Sequence, residues 1–363
     1  MLSQQLLEAK GPLIVGTIAA LTIGALLVGY NSLQKRVKAA RAKGVIVTEL
    51  LLHPIKSCKG ISVTSAAIGK FGFEFDRLWM LVKEEDHTFV TQRECPQLAL
   101  VEPVLKGKGK TYAEGGEMVV SAPGLPKLVI PFRKTVEGMP KITTDVWKNS
   151  VIGFDEGDNV ANWFSKFLGF RVRLIIKCVE TVRHLNPKNT PPESLLDVDQ
   201  VGQTAFADGY PFLVASTTSL QAVNERLPKE TKPRTIYHFR PNIVVSPNPN
   251  DASAELTPFA EDSWKTLRIG NETFYIASHC TRCQMPGNDI TTGGASDPQI
   301  TKTMMKFRRV DKGKKYEPCF GMNAISKRVT GVVSVGDVVE VVEDGVVHDG
   351  KQGIWRPGAS RVV

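Results

Sequence analysis

The chain carries two thiols three positions apart, Cys280 and Cys283, with Thr281 and Arg282 between them. A guanidinium beside a sulfur favours the thiolate, and a thiolate is the form that binds a soft or high-valent metal. Three other readings stand beside that one. A thioredoxin-type redox pair opens a helix within a βαβ unit, whereas here an apolar strand at residues 274–277 comes before the pair. Pro286 and Gly287 interrupt any helix after it, which places both thiols on a loop. A structural zinc site needs two more ligands, and although His279 is adjacent, the sequence has no second CxxC and no HxxxH. A half-buried structural cysteine pair is the bland alternative.

A second group, Lys56-Ser57-Cys58-Lys59-Gly60, follows a strand and a proline. A lysine, a hydroxyl and flexible backbone donors in that order can cradle a phosphate, and a solvated turn is the competing account. The Gly-x-x-x-x-Gly-Lys-Ser/Thr pattern of nucleotide hydrolases is absent. Arg77, within Phe75-Asp76-Arg77-Leu78-Trp79, and Arg240, within Phe239-Arg240-Pro241-Asn242-Ile243, each sit among apolar neighbours. A guanidinium in that setting needs a carboxylate of the protein or an anionic ligand. Asp76 is at hand for Arg77, and no acidic residue lies close to Arg240 in sequence.

The elements that must position these residues read as mostly β. Residues 45–52 are β-branched and apolar and stop at His53-Pro54, where proline removes a ladder donor. Further short apolar runs at 78–82, 127–131, 172–176, 212–215 and 243–245 sit between turn residues, and a last β-branched stretch, 329–342, is broken by Gly331 and by Gly336-Asp337. A helix is predicted from the spacing of Val160, Trp163, Phe164, Phe167 and Leu168, with Asp158 as N-cap and Gly169 as terminator, and a shorter one after Thr217 or Thr218. Residues 186–204, with three prolines, break all periodicity and are predicted to be an inter-domain connection or an active-site loop. The pattern predicts an α+β, β-rich chain, a β-barrel core with peripheral helices rather than alternating βαβ units.

Charge bounds the partners. The formal net charge is +9, but the first 43 residues hold six Lys/Arg against one Glu, so more than half of the excess is local. That cluster directly follows an apolar run rather than being interleaved with aromatics over a folded face, which argues against nucleic-acid binding. Residues 11–30 contain no charge and, as a helix, would span the hydrocarbon core of a bilayer. With Lys35, Arg36, Lys38, Arg41 and Lys43 behind it, the positive-inside rule predicts a single-pass anchor with the catalytic bulk facing the cytosol; a cleaved secretory signal is the competing reading. The six cysteines are spread along the chain rather than packed as a disulfide framework.

Taken in order and at these distances, Pro54-Ile55-Lys56-Ser57-Cys58-Lys59-Gly60, Asp76-Arg77-Leu78-Trp79, Phe239-Arg240-Pro241-Asn242 and Cys280-Thr281-Arg282-Cys283 resemble the MOSC family with its N-terminal β-barrel partner domain. Among its members the amidoxime reducing components also carry an N-terminal membrane anchor. The resemblance covers about residues 44–345. It implies a membrane anchor with basic flank at 1–43, a MOSC N-terminal barrel domain at 44–180, a MOSC domain at 181–350 and a tail at 351–363.

What the resemblance implies for the site is specific. Cys283 would bind the metal of a molybdenum cofactor (Mo-molybdopterin). Pterin and phosphate contacts would fall on Lys56, Ser57, Arg77, Arg240, Asn242, Thr281 and Arg282, with Gly209, Tyr210 and Asn323 as further cofactor contacts. Asp289 would serve as an acid near the metal or as a turn residue. The chain departs from relatives of animal type at Thr281 (Ser there), at Pro286-Gly287 (Thr-Thr there) and at Asn323 (an aromatic there), which leaves the substrate pocket unassigned. The implied reaction is two-electron reduction of N-hydroxylated compounds, with electrons from NADH through cytochrome b5 reductase and cytochrome b5, at the outer mitochondrial membrane or the endoplasmic reticulum. No Gly-x-Gly-x-x-Gly fingerprint for binding NADH directly is present. Two rivals remain: a sulfur carrier with a persulfide on Cys283, although the expected length leaves no space for a pyridoxal-phosphate domain, and a protein that stores or delivers the cofactor without catalysis.

Overall fold

A computed structural model describes residues 44–107, 111–133, 136–178, 180–345 and 353–355. The expected anchor at 11–30 with its basic flank, and most of the tail, lie outside these residues. Among the described residues no helix is long and apolar enough to cross a membrane.

Seven strands close on themselves in the order Ile243–Pro247, Phe212–Ser216, Cys319–Ser326, Glu272–Thr281, Thr266–Ile269, Val338–Glu343 and Val45–Leu52, the last pairing back to Ile243–Pro247. Closure leaves no free edge in the ring. The pairing of Phe212–Ser216 with Ile243–Pro247 is parallel, which demands a crossover, and the helix Thr217–Asn224 lies in it. The strand Val45–Leu52 comes first in the described chain, yet it is a stave of the barrel whose other six begin at Phe212.

Inward residues alternate along each stave: Phe212 and Val214, Ile243 and Val245, Phe274 and Ile276, Met322 and Ala324 are all buried in one cluster. In the first strand the inward positions are Val47 and then Leu50, because a bulge between Val47 and Glu49 shifts the register by one. Phe73, Phe212 and Phe274 meet edge to face at 4.9 and 5.2 Å in this core. Burying each such ring stabilises the barrel by roughly 1.5–3 kcal/mol.

The intervening residues build a second layer. Trp79–Lys83, Val172–Lys177, Asn149–Asp155 and Lys141–Val146 form one antiparallel sheet, and Glu102–Gly107, Gly116–Ser121 and Leu128–Pro131 form another. They share a core of Trp79, Leu81, Met118, Ile130 and Leu174, closed by Phe164 of the helix Asp158–Leu168. That helix lies where the spacing predicts it and ends on Gly169 in the left-handed region. Its N-cap is Gly157, not Asp158: the Asp158 carboxylate is drawn instead to Arg173, 2.7 Å away on the neighbouring strand.

Candidate functional site

The first barrel strand ends at His53-Pro54 and the chain turns into the cleft between the two layers, where a bridge from Ile55 to Trp79 fixes its path. Lys56 and Ser57 follow at once, held by Lys56 N donating to Trp79 O at 2.8 Å and by Gln92 Nε2 donating to Ser57 O at 2.6 Å. Arg77 enters from the turn before Trp79, and Arg240 with Asn242 from the turn before Ile243. Cys280 to Cys283 arrive at the end of the strand Glu272–Thr281. All of these residues line one cavity of about 820 Å³, together with Gly209, Tyr210 and Asn323.

The backbone at this cavity is strained. Seven non-glycine residues among those described have left-handed φ, and four of them, Ser57 (69°), Arg77 (50°), Trp147 (58°) and Arg240 (56°), line the cavity. Such conformations cost of order 1 kcal/mol or more each and persist where surrounding contacts over-determine them. Arg77 shows how: its N–H donates to His53 O, Nη1 donates to Asp76 Oδ2 at 2.6 Å and to Asn242 Oδ1 at 3.1 Å, and Nη2 donates to Arg240 O at 3.0 Å. Asn242 in turn donates from Nδ2 to Leu51 O at 3.2 Å, so the amide is locked by the barrel.

Cations outnumber their carboxylate partners here. Lys56, Arg77, Arg93, Arg183, Arg240 and Arg282 all line the cavity. Ion pairs reach Lys56 and Arg93 from Asp208, and Arg77 from Asp76. Arg240 donates to Cys58 O at 2.6 Å, Arg183 to the carbonyls of Ala205, Ala207 and Asp208, and Arg282 to Phe239 O at 2.8 Å and to the Cys280 sulfur at 3.0 Å. The buried Nε atoms of Arg183 and Arg282 have no hydrogen-bond partner. Burial, reinforced by Arg77, pushes Arg240 down to about 9, and burial pushes Arg183 down to about 10. Burial also lowers Lys56 against the pull of Asp208. Burial works to raise Asp208, but the Lys56 ammonium beside it wins and holds the carboxyl well below its ordinary range. These are the marks of a site that lacks anionic charge.

The thiol end is shaped by a bulge between His279 and Thr281, which carries strand pairing as far as Thr281 opposite Cys319. Cys280 therefore lies within a strand rather than on a loop as the sequence predicts, while Cys283 stands beyond the strand. His279, the neighbouring ligand that a zinc reading would use, lies 3.6 Å from Asp311 and 3.9 Å from Asp262. Among the described residues no group of three or more His, Cys, Asp or Glu is placed to hold a metal.

Of the sequence-predicted residues, Asp289 is the one the cavity does not include. Its carboxylate accepts from the main-chain N–H groups of Thr291 and Thr292 and from the Thr291 hydroxyl, closing its own exposed turn. Asn323 is on the cavity, donating from Nδ2 to Ser278 Oγ and His279 O, both at 3.1 Å. Gly209 leaves open space where a side chain would stand, and the Tyr210 hydroxyl accepts from Asn189 Nδ2 at 3.0 Å. Residues 186–204, predicted as a connection or loop, contribute Asn186 and Asn189 to the lining. Sequence reasoning misses Arg93, Arg183 and Trp147. Each gains its role from long-range packing, such as the Arg93 guanidinium 4.8 Å over the Trp147 ring, and only the exposed apolar bulk of Trp147 in a polar turn could have hinted at it.

The cofactor that the family resemblance implies combines a phosphate with a pterin dithiolene, and the donor set fits it. Orphaned guanidinium nitrogens and cations held only by carbonyls supply what a doubly anionic phosphate wants, and the thiol of Cys283 on the same cavity supplies a soft ligand.

Comparison with known proteins gives two family matches: the MOSC N-terminal beta barrel domain over residues 44–171 and the MOSC domain over residues 201–340. The chain is 33% identical to "Mitochondrial amidoxime reducing component 2" of Bos taurus over 301 residues, covering 81% of this chain and 82% of that protein. It is 30% identical to "Mitochondrial amidoxime-reducing component 1" of Danio rerio over 328 residues, covering 89% and 91%. It is also 29% identical to the "Molybdenum cofactor sulfurase" of Danio rerio over 282 residues, covering 76% of this chain but 31% of that protein.

Proposed function

The chain belongs to the MOSC-domain family that includes the mitochondrial amidoxime reducing components, and from that premise we propose that it is a molybdenum-cofactor oxidoreductase acting on N-hydroxylated compounds. Amidoximes, hydroxamic acids and hydroxylamines are the substrate class. Each turnover consumes two electrons and two protons, breaks the N–O bond and yields the N–H compound and water. The observation that carries the reading is the meeting of Cys283 with Lys56, Arg77, Arg240 and Arg282 on one cavity whose cations are short of anionic partners.

Within that reading Cys283 holds the metal, and Lys56, Ser57, Arg77, Arg240, Asn242, Thr281 and Arg282 hold the pterin and its phosphate, with Gly209, Tyr210 and Asn323 beside them. The bound cofactor would supply a metal that changes oxidation state by two electrons. The chain's own part is to fix that group rigidly. Arg77 is oriented by Asp76 and Asn242, and Arg282 by the Phe239 carbonyl, so few rotamers are left to freeze when the anion arrives. Cytochrome b5 and NADH-cytochrome b5 reductase would deliver the electrons, and the anchor at residues 11–30 would hold the chain on the cytosolic face of the outer mitochondrial membrane.

A second reading, sulfur transfer through a persulfide on Cys283, is favoured by the match to the sulfurase. Turnover separates the two, and also separates catalysis from storage of the cofactor. The purified protein is expected to reduce benzamidoxime with NADH, cytochrome b5 reductase and cytochrome b5, and Cys283→Ala to be molybdenum-free and inactive. Retained activity in that variant would refute the site.

A further inference from the structure

The stretch from the helix Pro298–Phe307 through residue 317 forms one wall of the cavity mouth, with Asp311, Lys314 and Glu317 on the lining. Its exposed face carries Lys302, Lys306, Arg309, Lys312, Lys314 and Lys315. Little opposes them. Asp311 is buried, Arg308 is turned inward onto Asp262 at 2.7 Å, and Glu317 meets Lys314 at 3.4 Å. Residues 302–317 hold seven Lys/Arg against two acidic residues, whereas residues 44–363 as a whole hold 40 against 36. This one stretch therefore accounts for the whole positive excess of that part of the chain. Among the cations stand two exposed apolar side chains, Val310 at 37% and Tyr316 at 69%. Exposed apolar side chains ringed by charge repeat the apolar-centre, polar-rim layout of a protein-binding surface, and the rim lysines serve arrival more than holding.

We propose that this basic shelf is the docking surface for a small acidic electron-carrier protein. The inference rests on the reading of the cavity as a redox site. Two electrons are needed for each N–O bond cleaved, so a one-electron carrier must dock and leave twice per turnover. Attraction through exposed, screened charges gives fast arrival and weak holding, which suits that traffic. An anionic membrane would match the same charges, but Lys314 shares the cavity with Cys283, and a bilayer seated on the shelf would close the mouth against a dissolved substrate. A carrier that comes and goes leaves it open.

The test reverses charge on the shelf without touching the cavity lining: Lys306→Glu, Arg309→Glu, Lys312→Glu and Lys315→Glu combined in the full chain, in detergent. Benzamidoxime reduction is followed with two donors, the soluble haem domain of cytochrome b5 and reduced methyl viologen. The KM for the haem protein at low ionic strength should rise about tenfold, and the salt dependence of the wild-type rate should largely vanish. Turnover with viologen should be unchanged, and the matching four Lys/Arg→Gln substitutions should give an intermediate KM. An unchanged KM for the haem protein overturns the proposal, as does equal loss with both donors. Unchanged KM joined to weaker flotation with phosphatidylserine vesicles would overturn it in favour of a lipid-facing shelf. Wild-type protein inactive with both donors would instead defeat the functional reading beneath it.

Discussion

Arg77 donates through Nη2 to the main-chain carbonyl of Arg240 at 3.0 Å, joining residues 163 apart in sequence. The contact is not an ion pair: it ties Arg77 to the main chain of a second arginine on a left-handed backbone, near enough for the Arg77 charge to disfavour the charge on Arg240. Two guanidinium groups so placed repel, and the repulsion is relieved when an anion lies between or against them.

Removing one of the two charges relieves that cost. Arg240→Gln removes a part-buried cation that desolvation and Arg77 disfavour, so the cofactor-free variant should be as stable as wild type or about 1 kcal/mol more stable. Retention of molybdenum should fall at least tenfold, because a charge-assisted contact to the anion is lost. Thermal unfolding with and without cofactor, and metal content after gel filtration, decide it. A variant that is unstable yet fully loaded would show the arginine to be structural.

The two thiols should separate cleanly. Cys280 accepts from Arg282 Nη1 at 3.0 Å, whereas Cys283 stands past the strand end on the cavity lining. Cys280→Ala frees the Arg282 guanidinium but leaves the proposed ligand in place. It should keep most of the molybdenum and lose no more than about a hundredfold in kcat, since a hydrogen bond to a charged group is worth roughly 1.5–3 kcal/mol. Elemental analysis of Cys280→Ala beside Cys283→Ala reads this directly, and loss of metal in both would assign ligation to the pair.

What was legible in the sequence was whatever local pattern carries. Residues 45–52 read as a strand because β-branched and apolar side chains run up to a proline, and the strand observed is Val45–Leu52. The arginines at 77 and 240 read as anion-seeking because a buried guanidinium must find a partner. Barrel closure was not legible: Val45 pairs with Pro247 and Val339, which no local pattern announces. Arg183 was missed for the same reason, since its carbonyl partners at 205–208 gather around it only through the tertiary fold. Local rules named Asp158 as a helix cap and offered Asp289 as an acid near the metal or as a turn residue, and in both cases a competing partner decided. Arg173 took the first carboxylate away from the cap, and Thr291 with Thr292 took the second away from the cavity.

Asp208 should matter more to the empty protein than to the loaded one. Lys56 is buried, donating to Phe206 O at 2.8 Å and to Asp208, whose side chain is 54% exposed. Asp208→Asn leaves the ammonium with neutral partners only. Discounted for exposure, the cost is about 1 kcal/mol at pH 7 in the cofactor-free protein. The Asp208 carboxyl is held below its ordinary value in the folded state, so its contribution is full above pH ~4 and is lost as pH falls below that. Urea unfolding of both proteins from pH 7 to pH 3 should show the gap narrowing at the acid end. With an anion on Lys56 the gap should shrink at every pH, and a constant gap would mean that the pair does not compete with the cofactor.

Gly321 tests whether the barrel wall and the cavity are one mechanical unit. It sits in the strand Cys319–Ser326 with φ of +75°, and a Cβ there would lie 2.8 Å from the Val214 carbonyl oxygen and 3.0 Å from Leu213 Cδ1. The first neighbour is backbone of the paired strand Phe212–Ser216 and cannot swing away. Gly321→Ala therefore has a left-handed backbone penalty of about 1–2 kcal/mol and an overpacking cost of about 1–3 kcal/mol, and the sheet must open to relieve either. Leu213 and Asn323, on the two strands that would part, both line the cavity. The variant should lose about 2–5 kcal/mol in denaturant unfolding and also hold molybdenum less tightly, although no cofactor contact has been removed. Destabilisation with full metal retention would show that the cavity is carried by its loops and not by the barrel.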